Sequence, residues 1–98
     1  MRIYIAGPMT GLPDLNFPAF HAEAVRPRAR GFEVVNPAEI NQDHAMPWVE
    51  CMRRDIRELV TCSAIVLLPG WEASKGAQLE WHIAQALGMG IFASPEVM

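Results

Sequence analysis

Runs of apolar residues alternate with helix-spaced apolar positions along most of this chain of 98 residues. The runs are rich in β-branched or aromatic residues and close at glycine, proline or polar clusters, which is typical of buried strands followed by turns. This pattern predicts four strands, at residues 2–6, 32–37, 64–68 and 90–93. The segments between them carry apolar residues three and four positions apart, so they are predicted to be helices.

Three helices are predicted in these intervals. The first follows Asn16, a candidate N-cap, and its apolar positions are Phe17, Phe20, Ala24 and Val25. Pro27 lacks the N–H that would bond within this helix and is expected to bend it or end it early. After a polar loop at 38–45, the second helix runs from about residue 47 to 61, with an apolar stripe of Trp48, Cys51, Met52, Ile56 and Leu59. The third is capped by Ser74 and ends at Gly88.

The order of these elements predicts an α/β fold. Strands that alternate with helices select a parallel sheet with helices on both of its faces, and the length suits one domain over residues 1–98. Ligands of such sheets bind beyond the carboxyl ends of the strands. We therefore expect the loop at 7–11, the loop at 69–74 and the start of the third helix to converge at one edge.

Composition and charge exclude several classes of protein. Half of the residues are apolar and about a fifth are charged, which is typical of a globular domain, and the net charge is -3. This balance does not favour binding to a nucleic acid polymer, and no apolar run approaches the roughly 20 residues of a membrane span. The two cysteines, Cys51 and Cys62, lie in no metal or redox motif, so reduced thiols and a cytoplasmic location are expected.

The third helix carries a carboxylate on an unusual face. One turn before Glu80 lie Gly76 and Ala77, and one turn after it lie Ile83 and Ala84. Burial of a charge on a small and apolar helix face is costly unless the charge is paired or used in chemistry. Glu80 is therefore the first candidate catalytic residue.

Asp55 is in a similar position on the second helix, within the apolar stripe. Two such carboxylates can perform glycosyl transfer, in which one attacks the sugar carbon and the other handles the proton of the leaving group. The alternative is structural: Asp55 pairs with an arginine such as Arg2, and Glu80 turns to the helix edge. The residues alone leave both interpretations open.

Other candidates lie in the two loops. The backbone amides of residues 7–11 can cradle a phosphate or a sugar, although the segment also suits a simple tight turn. Ser74 can contact a ligand or act only as the N-cap, and Tyr4 and Trp71 can stack on a base or serve as ordinary packing aromatics. The histidines show no metal-ligand spacing, so no metal is expected.

These residues resemble a known family. The start Ile3-Tyr4-Ile5-Ala6-Gly7-Pro8-Met9, Asp55, and the segment from Gly70 through Ser74-Lys75-Gly76-Ala77 to Glu80 are similar to nucleoside 2-deoxyribosyltransferases. A closer resemblance is to small bacterial and phage proteins with the pattern YIAGPMTG…NPAEI…RRDI…LLPGWE.S.GA..E. The resemblance covers nearly the whole chain and implies a three-layer, flavodoxin-like (Rossmann-like) parallel sheet.

The resemblance also implies roles for individual residues. Glu80 matches the nucleophile that takes the deoxyribosyl C1′, and Asp55 matches an aspartate that assists binding and protonation of the base. The implied substrate-binding residues are Tyr4, Gly7, Pro8, Met9, Thr10, Gly11, Gly70, Trp71, Ser74 and Gly76. The transferases usually carry Asp at the Ser74 position and Thr at the Ala77 position, and these differences favour a 5′-monophosphate over a nucleoside with a free 5′-hydroxyl.

The resulting hypothesis is an enzyme that cleaves or exchanges the N-glycosidic bond of a deoxynucleoside or its 5′-monophosphate without a metal or organic cofactor. The resemblance implies a homodimer or larger homo-oligomer, for which Trp71, Trp81 and the apolar tail at 91–98 suit an interface. Three alternatives remain: a non-catalytic nucleotide-binding sensor, an enzyme similar to phosphoribohydrolases, and a purely structural partner protein.

Overall fold

Four parallel strands form one sheet in the computed structural model, which describes residues 1–94. The strands are β1 (Arg2–Ala6), β2 (Glu33–Val35), β3 (Ala64–Leu67) and β4 (Gly90–Ala93), and their order across the sheet is β2-β1-β3-β4. Residues 95–98, part of the apolar tail considered above, lie outside the described residues. All three strand pairings are parallel, as predicted.

The helices lie in the intervals between the strands. They are α1 (Phe17–Ala29), α2 (Pro37–Ile40), α3 (Trp48–Leu59) and α4 (Lys75–Ala86), with 3₁₀ turns at Pro13–Asn16 and Trp71–Ala73. Among them, no helix of residues 1–94 is long and apolar enough to cross a membrane. Ser74 caps α4 as predicted, because its hydroxyl accepts a hydrogen bond from the Ala77 amide at 3.2 Å.

Both faces of the sheet are covered. Side chains that alternate along the strands point to opposite sides, so Tyr4 packs in the cluster that contains Leu59 and Ala84 of α3 and α4. Ile5 points the other way and packs with Phe20 and Ala24 of α1. This arrangement of three layers confirms the predicted α/β, flavodoxin-like fold.

The strand order defines where the chain changes direction in the sheet. β1 has β2 on one side and β3 on the other, so the connections that leave β1 and β3 separate at their carboxyl ends. A crevice at such a reversal is the usual ligand site of open α/β sheets. The loops at 7–11 and 69–74 both begin there, as the sequence predicted.

The entry to α1 differs from the prediction. The Asn16 side chain makes no capping bond, because the residue is left-handed, with φ of 60°. Instead its Nδ2 donates to the carbonyl oxygen of Pro8 at 2.9 Å. Asp14 and Leu15 are also left-handed, at φ of 50° and 52°, which is costly for residues with a Cβ. The Asn16 bond thus fixes a strained turn against the loop that follows β1.

Of the two effects expected of Pro27, a bend or an early end of α1, the early end does not occur, since the helix continues to Ala29. Pro27 lies seven residues after Phe20 and is buried on the same face with Phe20 and Ala24, so its ring fills space against the sheet. Val25 was expected on this face. It is 65% exposed, because it lies one position, and so about 100° around the helix, beyond Ala24.

The polar loop predicted at 38–45 begins instead with α2. Asn36 caps this short helix, since its Oδ1 accepts a hydrogen bond from the Ala38 amide at 3.0 Å. The turn directs Asn41 into the interior, where it is 5% exposed. Trp48, predicted in the core stripe of α3, lies near the surface at 37% exposure and contacts the Lys75 ammonium, which lies 4.4 Å from the ring centroid.

A substitution at Gly7 tests how tightly the segments that follow β1 and β3 pack against each other. A Cβ added at Gly7 would lie 2.7 Å from the Leu68 Cβ, an atom held by its own backbone, so one of the two loops must move. We expect Gly7→Ala to lower the free energy of unfolding by about 1–3 kcal/mol in urea denaturation.

Gly76→Ala is the matched control. Its Cβ would meet the Met52 sulfur at 3.1 Å, but a methionine side chain can turn aside, and alanine improves helix propensity. We expect a change within about 1 kcal/mol of the native value. Equal losses in the two variants would contradict the close contact at Gly7.

Candidate active site

A cavity of about 250 Å³ lies at the carboxyl ends of β1 and β3. Both candidate carboxylates, Asp55 and Glu80, line it. The rest of its wall comes from the loop after β1, from α1, from the segment between β2 and α3, from α3 and from the start of α4: Gly7, Met9, Thr10, Leu15, Phe17, Phe20, Pro37, Asn41, Asp43, His44, Met46, Trp48, Cys51, Met52, Ser74, Gly76 and Ala77. The wall is mainly apolar and carries a small number of polar groups, which is typical of small-molecule sites.

Glu80 does not turn to the helix edge, since it is only 5% exposed. Its Oε2 accepts a hydrogen bond from the Tyr4 hydroxyl, which projects from the middle of β1. Burial raises the pKa of Glu80 to about 8; the Tyr4 bond opposes this shift, and the nearby charge of Asp55 adds to it. Glu80 is therefore largely protonated at neutral pH.

Tyr4 lies beneath the cavity. Its side chain is completely buried in the layer between β1 and the α3–α4 face, and its only polar atom bonds Glu80. Burial, together with the nearby Glu80 and Asp55 carboxylates, raises the pKa of Tyr4 well above its ordinary value. Tyr4 thus remains a neutral hydrogen-bond donor throughout the physiological range.

Asp55 is 6% exposed and is held by an amide, not by the arginine of the structural alternative. Asn41 Nδ2 donates to Asp55 Oδ1 at 2.6 Å. Burial raises the pKa of Asp55 to about 6, and the Asn41 bond partly opposes the shift. Arg2 pairs elsewhere, with Glu33 at 2.5 Å and with Glu58 at 3.2 Å.

The two carboxyl groups therefore share one cavity and have different affinities for protons. Their interaction is strong enough that Asp55 raises the pKa of Glu80. Pairs whose environments separate their pKa values in this way are typical of sites where one group acts as an acid and the other as a base or nucleophile. Between about pH 6 and about pH 8, the pair carries one proton.

The loop residues from the sequence divide between two neighbouring cavities. Met9, Thr10, Ser74 and Gly76 line both, Gly7 lines the first, and Pro8 and Gly70 line only the second, where Lys75 also lies. Of the sequence-based candidates in the described part of the chain, Tyr4, Gly11 and Trp71 line neither cavity. The Trp71 ring packs against Trp81, with 5.4 Å between their centroids.

Several wall residues were not candidates from the sequence. Asn41 and His44 come from the segment predicted to be a polar loop, and the His44 ring packs edge-on against Phe17 at 4.9 Å between centroids. Asn41 carried no local signal, because its burial and its bond to Asp55 depend on α2 and α3 packing together. Within residues 1–94, no three His, Cys, Asp or Glu side chains come together in a way that could hold a metal ion.

The fold and the cavity define a small flavodoxin-like α/β domain with two buried carboxyl groups, Asp55 and Glu80, in a cavity at the carboxyl ends of β1 and β3. Two solved structures share the fold. A 2-deoxyribosyltransferase from Leishmania mexicana superposes with a TM-score of 0.72 at 23% identity, over 94% of this chain and 62% of that protein. A 2-deoxyribosyltransferase from the psychrotolerant bacterium Bacillus psychrosaccharolyticus also gives a TM-score of 0.72, at 16% identity, over 100% of this chain and 77% of that protein.

The chain thus spans less than two thirds of the length of the Leishmania protein. No curated protein matches it. The family model of DUF4406, a domain of unknown function, matches residues 1–93, so the chain belongs to that family.

The raised pKa of Glu80 makes stability depend on pH. The unfolded state releases the Glu80 proton near pH 4.5, whereas the folded state holds it up to about pH 8. The contribution of this proton to the free energy of unfolding is therefore complete below pH 4.5 and is lost as the pH rises to about 8. At roughly 1.4 kcal/mol per pKa unit, the loss is on the order of a few kcal/mol. We expect Glu80→Gln, which stays neutral, to remove most of this decline in urea denaturation at pH 6 and pH 8.

The exposed Glu50 provides the control, because Glu50→Gln changes the same functional group at the surface. This variant should retain the decline of the native protein. A Glu80→Gln protein with the native pH dependence would show that Glu80 is not protonated in the fold.

Proposed function

We propose that this protein cleaves the N-glycosidic bond of a deoxynucleoside or its 5′-monophosphate, with Glu80 as the nucleophile and Asp55 as the acid. The observation that carries the proposal is the pair of buried carboxyl groups on one cavity, whose pKa values are about 8 and about 6. The shared fold of the two 2-deoxyribosyltransferases supports the choice of a deoxyribosyl substrate.

In the proposed reaction, an ionised Glu80 oxygen attacks C1′ of the sugar while the bond from C1′ to the base nitrogen breaks. The electron pair of that bond goes to the base, which takes a proton from Asp55. Water or a second base then attacks C1′ of the glycosyl-enzyme and gives a proton to the Asp55 carboxylate, and Glu80 leaves as a carboxylate. The Tyr4 hydroxyl holds one Glu80 oxygen, so the other oxygen is left to react.

The proton of the pair must lie on Asp55 for this step. A pair that holds one proton in total can place it on either group, and the form with Asp55 protonated and Glu80 ionised is the reactive one. A substrate base that accepts a hydrogen bond from Asp55 favours that form. The mechanism therefore requires the singly protonated pair.

The first test is chromatography of the free base released from deoxynucleosides and their monophosphates. We expect release by the native protein and a loss of at least about a thousandfold in Glu80→Ala, because the variant lacks the carboxylate that forms the covalent bond in this mechanism. Asp55→Asn should lose roughly a hundredfold, since general acid catalysis typically contributes that much or more. Full turnover by Glu80→Ala would refute the mechanism.

Two other outcomes would point to different functions. Release from ribonucleotides in preference to deoxyribonucleotides would indicate an enzyme similar to phosphoribohydrolases. A nucleotide that stabilises the protein against heat but loses no base would indicate a binding module. Stabilisation follows from preferential binding to the folded state and needs no chemistry.

The pH profile gives a second prediction. Because kcat/KM reports ionisations of the free enzyme, it should follow a bell with limbs near pH 6 and pH 8, the range in which the pair holds one proton. In Tyr4→Phe, the upper limb should move to higher pH, because the lost bond lowers the pKa of Glu80 in the native protein. An unchanged limb in Tyr4→Phe would show that this bond does not set the ionisation.

The second cavity supports a 5′-monophosphate as the substrate. It adjoins the first at Ser74 and Gly76, where α4 begins, and it includes Lys75. The positive end of a helix and a lysine ammonium both favour an anion. A phosphate in this cavity would place the sugar next to Glu80 and the base next to Asp55.

Ser74→Asp tests this placement without removing the helix cap, because aspartate caps helices as well as serine does. A carboxylate at residue 74 would repel a phosphate and could accept a hydrogen bond from a free 5′-hydroxyl. We expect the ratio of kcat/KM for monophosphate over nucleoside to fall by at least roughly tenfold in this variant. An unchanged ratio would place the phosphate elsewhere.

A homo-oligomer belongs to the same proposal. Leu79 of α4 and Leu87, its C-cap residue, are 39% and 56% exposed, and Trp71 packs against Trp81 of the same helix. Apolar side chains exposed along one helix suit an interface between copies. Light scattering of the native protein determines whether the chain self-associates.

A further inference from the structure

Asn41 is a buried polar residue whose side-chain oxygen has no role in the proposed reaction. It follows α2, is 5% exposed and lines the first cavity. Its Nδ2 donates to Asp55 at 2.6 Å, but its Oδ1 is shielded from solvent and has no hydrogen-bond partner among residues 1–94. Buried acceptors without a partner are uncommon and cost free energy, so this oxygen requires an explanation.

The bond to Asp55 determines which amide atom is left over. Asp55 Oδ1 accepts from Asn41 Nδ2, and it can do so both when Asp55 is ionised and when its other oxygen holds the proton that is given to the base, so the NH₂ group of Asn41 faces Asp55. The carbonyl oxygen is then the amide atom that lacks a partner, on a residue that lines the cavity. Asn36, the other buried asparagine at the ends of α2, differs in this respect, because its oxygen already accepts from the Ala38 amide.

We propose that Asn41 is a specificity residue that selects bases with an exocyclic amino group next to a ring nitrogen. In this arrangement Asn41 Oδ1 accepts a hydrogen bond from the amino group, while Asp55 binds and protonates the neighbouring ring nitrogen. The inference rests on the proposed function, since it assigns the base to the cavity wall at Asp55.

The requirement for an amino group next to a ring nitrogen distinguishes bases of nearly the same shape. Adenine presents its N6 amino group beside the N7 acceptor, and cytosine presents its N4 amino group beside N3. Hypoxanthine and uracil carry an oxygen where these bases carry the amino group. That oxygen would face Asn41 Oδ1, and two acceptors would meet without a proton between them. Hypoxanthine and uracil would therefore lose a hydrogen bond and also be repelled by the Asn41 oxygen.

The test compares analogues that differ only in this group: dAMP with dIMP, and dCMP with dUMP. We expect the native protein to favour the amino member of at least one pair by roughly tenfold or more in kcat/KM. Asn41→Leu, which has similar volume and no polar atom, should reduce that ratio to near one. Gln42→Leu changes an exposed amide that lies one residue further on and outside both cavities, and it should keep the native ratio.

The ratio separates specificity from simple positioning of Asp55. If Asn41 only oriented Asp55, Asn41→Leu would slow both members of a pair equally and would shift the lower limb of the pH profile, since the Asn41 bond lowers the pKa of Asp55. A ratio that stays at the native value in Asn41→Leu would therefore overturn the inference.

The comparison also separates this inference from the proposed function. Base release with equal or greater activity on dIMP and dUMP would refute the role of Asn41 and leave the reaction intact. If no base is released from any compound, the proposed function fails, and calorimetric binding of the same four nucleotides decides the inference. Tighter binding of dAMP or dCMP that Asn41→Leu abolishes would support it, and equal or absent binding would refute it.

Discussion

The hydrogen bond between Tyr4 and Glu80 joins the centre of the sheet to the first turns of α4, and the candidate site depends on it. Tyr4 comes from β1, and its ring is part of the core that supports both α3 and α4. A carboxyl group on the buried face of α4 needs such a partner, because an unpaired polar group at this depth would destabilise the fold. The bond engages one of the two carboxyl oxygens of Glu80, a residue that lines the cavity.

Burial of two acidic groups makes the site a source of instability that the rest of the fold offsets. The core around it is dense: side chains of the central strands are almost completely buried, and Gly7 lies too close to Leu68 to accept even a methyl group. Protonation lowers the free-energy cost of burying these carboxyl groups, and both have raised pKa values. A site that would be more stable without its charged groups is typical of functional positions in proteins.

The proposed chemistry uses features of a generic α/β sheet. The crevice exists because the connections that leave β1 and β3 run to opposite sides of the sheet, and the loops that begin these connections form its walls. The helix that carries Glu80 also presents its N-terminus to the adjoining cavity, so one element can contact both the sugar carbon and a phosphate. The two deoxyribosyltransferases share the fold of this chain at 23% and 16% identity.

Local sequence patterns were sufficient for most of the fold. The four strands were predicted to within two residues at each end, and the Ser74 cap and the inward faces of α3 and α4 were predicted as well. These features depend on neighbours within one turn or one pleat, so periodicity reports them directly. Errors occurred where a residue can satisfy two roles. Asn16 bonds Pro8 and does not cap α1, and Pro27 fills the core and does not end its helix.

The sequence by itself thus determined the strands, most of the helices, and the presence of Asp55 and Glu80 on apolar helix faces. Only the tertiary structure decided their partners. The Tyr4–Glu80 bond joins residues 76 positions apart, and the Asn41–Asp55 bond joins residues 14 positions apart. The second also needs α2, which begins at the Asn36 cap. Hydrogen bonds between such distant positions form only when separate elements pack together, and no local periodicity records which side chains that packing will bring into contact.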